Sequence, residues 1–345
     1  SSNTVKVYPV PTAKFSTNEP RCEDEKVDFN GKNSLIPGQS NYTFKWDYDD
    51  GLIDSNTRDT NHQYLNDGEY NAQLTIESQF GCKDSTTKTV TVNPVPKADF
   101  LTNDTCLGNP ISFIDNSQGN GSSIASKKWN LEDTTITNPN SLVNYNYDTA
   151  GIRDVKLTVN SGKGCDATES KKVEVFPLPE ANFTVNDTGQ CRQGNSYQFT
   201  DQSSISSGSL NYDWDFGDGD SASKATPTHS YSSQGSYTVE QIVTSDKGCK
   251  DTASEVMEVN PMPSPAFSYN EDSSQCLEGN QYSLTNNSTI TSGSQNYAWT
   301  FGDSSDSTDI DPSYTYSSAD TFKIELIATS DSGCVDTTSR KVTVE

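Results

Sequence analysis

The four tryptophans of this 345-residue chain, Trp46, Trp129, Trp214 and Trp299, lie 83, 85 and 85 residues apart. Each sits in the same local frame. In Tyr212-Asp213-Trp214-Asp215-Phe216-Gly217-Asp218-Gly219 the large apolar residues alternate with acidic ones, so they share one face of a strand. Gly-Asp-Gly then supplies a turn, because glycine accepts positive φ without steric cost. The frame recurs as Phe44-Lys45-Trp46-Asp47-Tyr48-Asp49-Asp50-Gly51, as Lys127-Lys128-Trp129-Asn130-Leu131-Glu132-Asp133 and as Tyr297-Ala298-Trp299-Thr300-Phe301-Gly302-Asp303. One module has been copied four times, each copy of about 84 residues lying near the lower end of ordinary domain size.

The joints repeat as well. Val90-Thr91-Val92-Asn93-Pro94-Val95-Pro96 closes the first copy and opens the second. Its counterparts are Val173-Glu174-Val175-Phe176-Pro177-Leu178-Pro179 and Met257-Glu258-Val259-Asn260-Pro261-Met262-Pro263. Val5-Lys6-Val7-Tyr8-Pro9-Val10-Pro11 has the same form. Residues 1–7 are therefore expected to be the last strand of a preceding repeat in a longer array. Repeats one to four then occupy residues 8–92, 93–175, 176–259 and 260–345. Proline fixes φ and favours stiff, extended connections, and no Gly/Ser linker intervenes.

Inside each copy the apolar residues keep a period of two. Phe15, Phe100, Phe183 and Phe267 open strand A. Val27/Phe29, Ile111/Phe113, Tyr197/Phe199 and Tyr282/Leu284 mark strand B, and the tryptophans mark strand C. Strand F reads Ala72/Leu74/Ile76, Val155/Leu157/Val159, Val239/Gln241/Val243 and Ile324/Leu326/Ala328. Strand G supplies Val90/Val92 and its equivalents. Many short alternating strands separated by turns indicate an all-β sandwich. Gln241 breaks its column, and pointing inward it needs a hydrogen-bond partner.

The Trp-Asp-Phe-Gly-Asp-Gly stretch resembles the signature of the polycystic kidney disease (PKD) domain, an immunoglobulin-like β-sandwich. The likeness is closest in the third copy, good in the fourth and degenerate in the first two. Four tandem PKD β-sandwich domains, arranged as an extended rod, are the fold the resemblance implies. In tandem, cysteine-bearing and this acidic, the repeats resemble those of giant surface adhesins of gliding and other Gram-negative bacteria. That implies an extracellular, cell-surface protein.

Only 30% of residues are hydrophobic, which would suggest disorder were the apolar residues not in strict alternation. The net charge of −24 argues against nucleic acid and anionic membranes as partners. No apolar run approaches the roughly 20 residues that span a bilayer. Further copies of the same repeat are the expected partners, with surface polysaccharide or other cell-surface proteins beyond them.

Catalytic chemistry finds little to use. The two histidines, His62 and His229, occupy one column that holds Tyr145 and Tyr314 in the other copies, which fits packing better than proton transfer. No nucleophile elbow, phosphate loop or histidine-rich metal site is present. No catalytic residue, and no cofactor, is expected. The best metal candidates are Asp213, Asp215, Asp218 and Asp220, since calcium prefers several oxygen ligands and some PKD-like domains of secreted collagenases bind it. The competing reading is that these carboxylates shape the turn. Ser85, Thr252 and Thr337 each follow an aspartate in a stretch resembling the Asp-Ser/Thr O-glycosylation motif of the same bacterial group, with a polar hairpin start as the alternative.

The eight cysteines fall two per repeat, at 22/82, 106/165, 191/249 and 276/334. Single cysteines at regular spacing in an exported array indicate disulfides rather than zinc. Equal spacing invites pairing within each repeat, but strand parity argues otherwise. In a seven-strand sandwich running A to G, the first cysteine precedes strand B, near the pole where the chain leaves the domain. The second follows glycine at the F–G turn, at the pole where the chain enters. A disulfide needs Cα atoms roughly 4.4–6.8 Å apart, so the two ends of one domain cannot meet. Stacked head to tail, one domain's exit meets the next domain's entrance. The expected pairs are Cys22–Cys165, Cys106–Cys249 and Cys191–Cys334, with Cys82 and Cys276 pairing outside these four repeats. Pairing within the repeat survives if strand A crosses between sheets. Two functions then compete: a structural stalk of a large exported adhesin or filament, and a polysaccharide-binding accessory module of a secreted hydrolase. Most aromatics fall in inward columns, which weakens the second.

Overall fold

The computed structural model describes residues 4–37, 41–269 and 272–345. The described residues contain no helix; each repeat is a pair of sheets, one of three and one of five strands. The first repeat sets the pattern with β1 (Ser16–Thr17), β2 (Arg21–Cys22), β3 (Lys26–Asn30), β4 (Tyr42–Asp47), β5 (Ile53–Ser55), β6 (Asp59–Gln63), β7 (Gly68–Ser78) and β8 (Lys83–Asn93). The sheets run β1-β3-β6 and β2-β8-β7-β4-β5. The other three repeats use the same two orders.

Eight strands thus stand where seven were expected. Strand A is split: β1 pairs antiparallel with β3, then the chain crosses over and β2 pairs parallel with β8. Polar side chains at the crossing take up backbone groups that a continuous ladder would have used. Glu19 accepts from the amide of Thr91 (2.9 Å), and Asp104 accepts from that of Glu174 (2.8 Å). The strand after the tryptophan strand, β5, remains in the same sheet as an edge and takes the parity a D strand would have had. Chain direction is therefore preserved, and β7 and β8, eleven residues each, form a hairpin with ten register pairs.

The cores follow from the alternation. Four separate clusters of buried side chains form, one per repeat. Trp46, Trp129, Trp214 and Trp299 lie at their centres, at most 1% exposed. The opening phenylalanine of strand A meets each indole edge-on, with ring centroids 5.1, 5.0, 5.0 and 5.1 Å apart, a geometry favoured by the ring quadrupoles. Three indoles donate to a backbone carbonyl ten or eleven residues on: Trp46 to Thr57, Trp214 to Lys224 and Trp299 to Asp309. Trp129 Nε1 has no partner.

Gln241 is fully buried and does point inward. Its Nε2 donates to Asp201 Oδ1 (2.7 Å), and its Oε1 accepts from Ser203 Oγ (3.3 Å). Although burial opposes ionisation of Asp201, bonds from Ser203 and Gln241 hold its carboxyl below the usual range. Replacing Gln241 with leucine leaves the carboxylate short of a donor. The expected cost is about 1–3 kcal/mol, read as a lower denaturation midpoint for the third repeat. A neutral result would show that water takes over the role of the amide.

Candidate functional site

Two kinds of polar assembly recur along the chain: the turn after each tryptophan strand and the joints between repeats. In the third repeat's turn, Asp215 Oδ1 accepts from the amide of Gly217 (2.9 Å), and Asp218 Oδ1 accepts from that of Asp220 (3.1 Å). The second oxygen of Asp218 bonds His229 Nε2 at 2.8 Å. Gly217 has φ of 80°, and an added Cβ would stand 2.6 Å from Thr238 O, so glycine is required there on both counts.

The same device operates in two other repeats. Asp50 binds His62 Nε2 (2.6 Å), and Asp303 accepts from the hydroxyl of Tyr314 (2.7 Å). Each ring so held lies flat on the aromatic that immediately follows the tryptophan strand. The stacks are His62 on Tyr48, His229 on Phe216 and Tyr314 on Phe301, with interplanar angles of 4°, 3° and 3°. In the second repeat Leu131 replaces that aromatic, and the Tyr145 ring meets Tyr147 edge-on. A buried tyrosine then closes the corner: Tyr64, Tyr147, Tyr231 and Tyr316 donate to the carbonyls of Tyr48, Leu131, Phe216 and Phe301. Burial, followed by nearby carboxylates, pushes the phenols of Tyr64, Tyr231 and Tyr316 well above their ordinary range.

Of the four carboxylates proposed for calcium, the structure gathers Asp218 and Asp220 with His229, all three ligand atoms lying within 4.8 Å of one another. Asp213 and Asp215 are not in that group. Two carboxylates and an imidazole do not match the six to eight oxygens calcium takes, and both oxygens of Asp218 are already hydrogen-bonded. The geometry supports the turn. Partial burial opposes ionisation of Asp218, yet the bonds from His229 and the Asp220 amide hold its carboxyl below the ordinary range. A depressed carboxyl stabilises the fold above its unfolded value of about 3.9 and loses that contribution as pH falls through the lower folded value. Asp218→Asn is expected to remove about 0.5–1 kcal/mol at pH 7. The gap to the parent should close in acid, as read by urea unfolding across pH 2–7. A gap that stayed constant would show that the charge on Asp218 is immaterial.

The joints carry the disulfides. In the unit formed by residues 1–176, Cys22 of the first repeat is bonded to Cys165 of the second, with Cα atoms 5.8 Å apart. In the unit formed by residues 177–345, Cys191 of the third repeat is bonded to Cys334 of the fourth, at 5.6 Å. Strand A does cross between sheets, the condition under which pairing within a repeat was left open. The crossing nevertheless delivers Cys22 opposite Asn93, the last residue of β8, at the pole where the chain leaves the repeat. Around the first joint Asn93 Nδ2 donates to Lys163 O (3.4 Å), Val95 N to Glu23 Oε1 (3.1 Å), and Asn120 Nδ2 to Val95 O (3.0 Å). Pro94 and Pro96 are buried there. Cys106 and Cys249 occupy the equivalent places in their own repeats, opposite Phe176 and in the β7–β8-type turn. Cys82 and Cys276 are free thiols.

Sequence reasoning overlooked the residue that seats the second cysteine. Ser78, Ser161, Ser245 and Ser330 are all buried, and each hydroxyl accepts from the amide of the cysteine four residues later. The signal was present as a Ser-x-x-Gly-Cys column in every copy. Ser85, Thr252 and Thr337, the glycosylation candidates, are exposed on the final strands. The aspartates before Ser85 and Thr252 are engaged, Asp84 accepting from Ala13 N (2.7 Å) and Asp251 from Ala181 N (2.8 Å). They bind the start of strand A to the final hairpin, a use that the motif alone does not reveal.

A family model described as PKD domain matches residues 8–94, 92–175, 177–260 and 263–344. The chain belongs to the PKD domain family. Among curated proteins it is similar to the pre-pro-metalloprotease PrtV of Vibrio cholerae, 40% identical over 81 residues, which is 22% of this chain and 9% of that protein. It is also similar to a microbial collagenase of Vibrio alginolyticus, 28% identical over 102 residues, or 30% of this chain and 12% of the relative. The chain thus spans about a tenth of the length of these relatives. Among solved structures, the PKD1 domain of Vibrio anguillarum Epp is 36% identical, with coverage of 24% of this chain and 93% of that one and a TM-score of 0.22. Its counterpart from Vibrio cholerae PrtV is 37% identical, covering 25% and 98%, with a TM-score of 0.21.

Proposed function

We propose that this PKD array is a non-catalytic stalk or spacer segment of a large exported cell-surface adhesin or filament. The observation that carries the reading is the covalent bridge across a joint, Cys22 to Cys165. A bridge between neighbours restricts bending and shares load between two small cores, which a force-bearing surface fibre requires and an isolated binding domain does not. Disulfides of this kind also suit an oxidising, extracellular setting. The His–Asp contacts of the described residues are both spent on stacked rings. Further copies of the repeat are the natural partners, and Ser85, Thr252 and Thr337 are open to O-linked sugars, which intact-mass analysis of the native protein would detect.

A strand of 8–10 residues at roughly 3.3 Å each gives a module about 30 Å tall before loops. Four modules in line are expected to measure roughly 120–160 Å by small-angle scattering. A compact particle would remove the stalk reading. The second reading, an accessory module beside a secreted hydrolase, is favoured by the names of the relatives, a metalloprotease and a collagenase. Saturable binding to a polysaccharide or collagen array would favour it, and no binding together with a long rod would favour the stalk. A calcium titration that raised the melting temperature would add a metal-stiffened turn to either reading.

A further inference from the structure

We propose that the tryptophan turn of the third repeat binds one divalent transition-metal ion of the zinc class, with Asp218, Asp220 and His229 as its ligands. The oxygen-rich coordination of calcium does not fit there, whereas an imidazole with two carboxylates is a donor set that zinc accepts. Among the described residues no other group of three His, Cys, Asp or Glu side chains brings its ligand atoms within 4.8 Å of one another. Donors around four-coordinate zinc stand roughly 3.3 Å apart. His229 Nε2 and Asp218 Oδ2 are already at 2.8 Å, and rotation of the exposed Asp220 side chain closes the remainder.

The imidazole is the ligand held in advance. Its ring is stacked on Phe216 at 3° and meets Tyr231 edge-on at 87°. Only 10% of the His229 side chain is exposed, and Nε2 is directed at the carboxylates. The turn sets the other two ligands. Phe216 N donates to Asp220 O (3.2 Å), and Asp220 N donates to Asp218 Oδ1 (3.1 Å). Asp218 therefore keeps that amide on one oxygen and offers the other to the ion. The ion replaces the proton between Asp218 Oδ2 and His229 Nε2, and water fills the fourth position. Asp218 and Asp220 follow the tryptophan strand of the five-stranded sheet, whereas His229 belongs to the strand Thr228–His229 of the three-stranded sheet. A bound ion thus ties the two sheets of this repeat together.

Stacking accounts for the His–Asp pair but not for the second carboxylate. Among the described residues the Asp220 carboxylate has no hydrogen-bond or ion-pair partner. The first repeat carries the same pair, Asp50 with His62, and the same stack on Tyr48, but Leu52 stands where Asp220 does. The fourth repeat has Asp303, Ser305 and Tyr314 in these places, and the second has Asp133, Thr135 and Tyr145. The set is complete in the third repeat alone, and the first is an internal control one ligand short.

The test is zinc titration of the native, disulfide-bonded chain after treatment with a chelator and alkylation of Cys82 and Cys276, whose thiolates would compete for the metal. Equilibrium dialysis with metal analysis is expected to give one zinc per chain, and hydrogen exchange should show added protection in the third repeat. Losing a group that merely supports a metal ligand costs about 10–100-fold in affinity, so Asp220→Leu and His229→Tyr should each weaken zinc by at least about 100-fold. Both substitutions copy residues that other repeats already carry, Leu52 and Tyr314, so the fold is expected to hold. Leu52→Asp completes the set in the first repeat and should raise the count to two zinc ions per chain. Calcium should leave the protection of the third repeat unchanged. A parent chain that bound no zinc, undiminished binding in both ligand variants, or calcium protection equal to that of zinc would each overturn the proposal.

Discussion

Replacing Trp214 with alanine is expected to cost about 3–5 kcal/mol, a large share of the total stability of a domain this small. The indole is 1% exposed, meets Phe183 at 5.0 Å and Phe199 at 5.4 Å, and donates to Lys224 O at 2.8 Å. Alanine deletes the central volume of the core and leaves that carbonyl without its donor. Hydrogen exchange resolved by repeat is the suitable measurement, since four modules need not unfold as one transition. Protection should collapse in the third repeat and persist in the others. Conservative changes should separate packing from hydrogen bonding. Trp214→Phe loses both, whereas Trp129→Phe gives up an indole N–H that has no partner and should therefore cost less. An effect under about 1 kcal/mol at Trp214 would falsify its placement between the sheets.

Serine at both Cys22 and Cys165 should produce the second large effect. The bridge spans 143 residues of sequence, and loop-closure entropy assigns about 5 kcal/mol to a loop of that size. Because it joins two repeats, its loss is expected to act on their coupling more than on either core. Repeats one and two should lose their common denaturation midpoint, and cleavage within residues 94–97 should release single repeats without reductant. Trp46 and Trp129, buried in separate clusters, report the two transitions. A chain that kept one shared transition and resisted cleavage would show that the proline joint couples the repeats without the disulfide.

The period of the tryptophans and the alternation around them made the repeat, the strands and the inward columns readable in the sequence. Both patterns are local: a side chain's face on a strand follows from parity alone, and identical modules must solve the same packing problem identically. The role of His62 and His229 was only half legible. Their shared column pointed to packing, but the stack on Tyr48 and Phe216 depends on β6 and its third-repeat equivalent lying under the tryptophan turn. The eighth strand and the split in strand A were not legible. Both arise where side chains such as Glu19 and Asp104 compete with the ladder for backbone amides.

Sequence by itself determined that this chain is four copies of one all-β module, because alternation fixes faces and period fixes copies. It also supplied a parity argument for where each cysteine stands along its strand. Only the tertiary structure decided which sulfurs meet. That outcome rests on a Cα separation of 5.8 Å between residues 143 positions apart, reached although strand A crosses between sheets, a crossing no local pattern announces. Such a separation is a property of the packed pair of repeats, and neither repeat's own residues encode it alone.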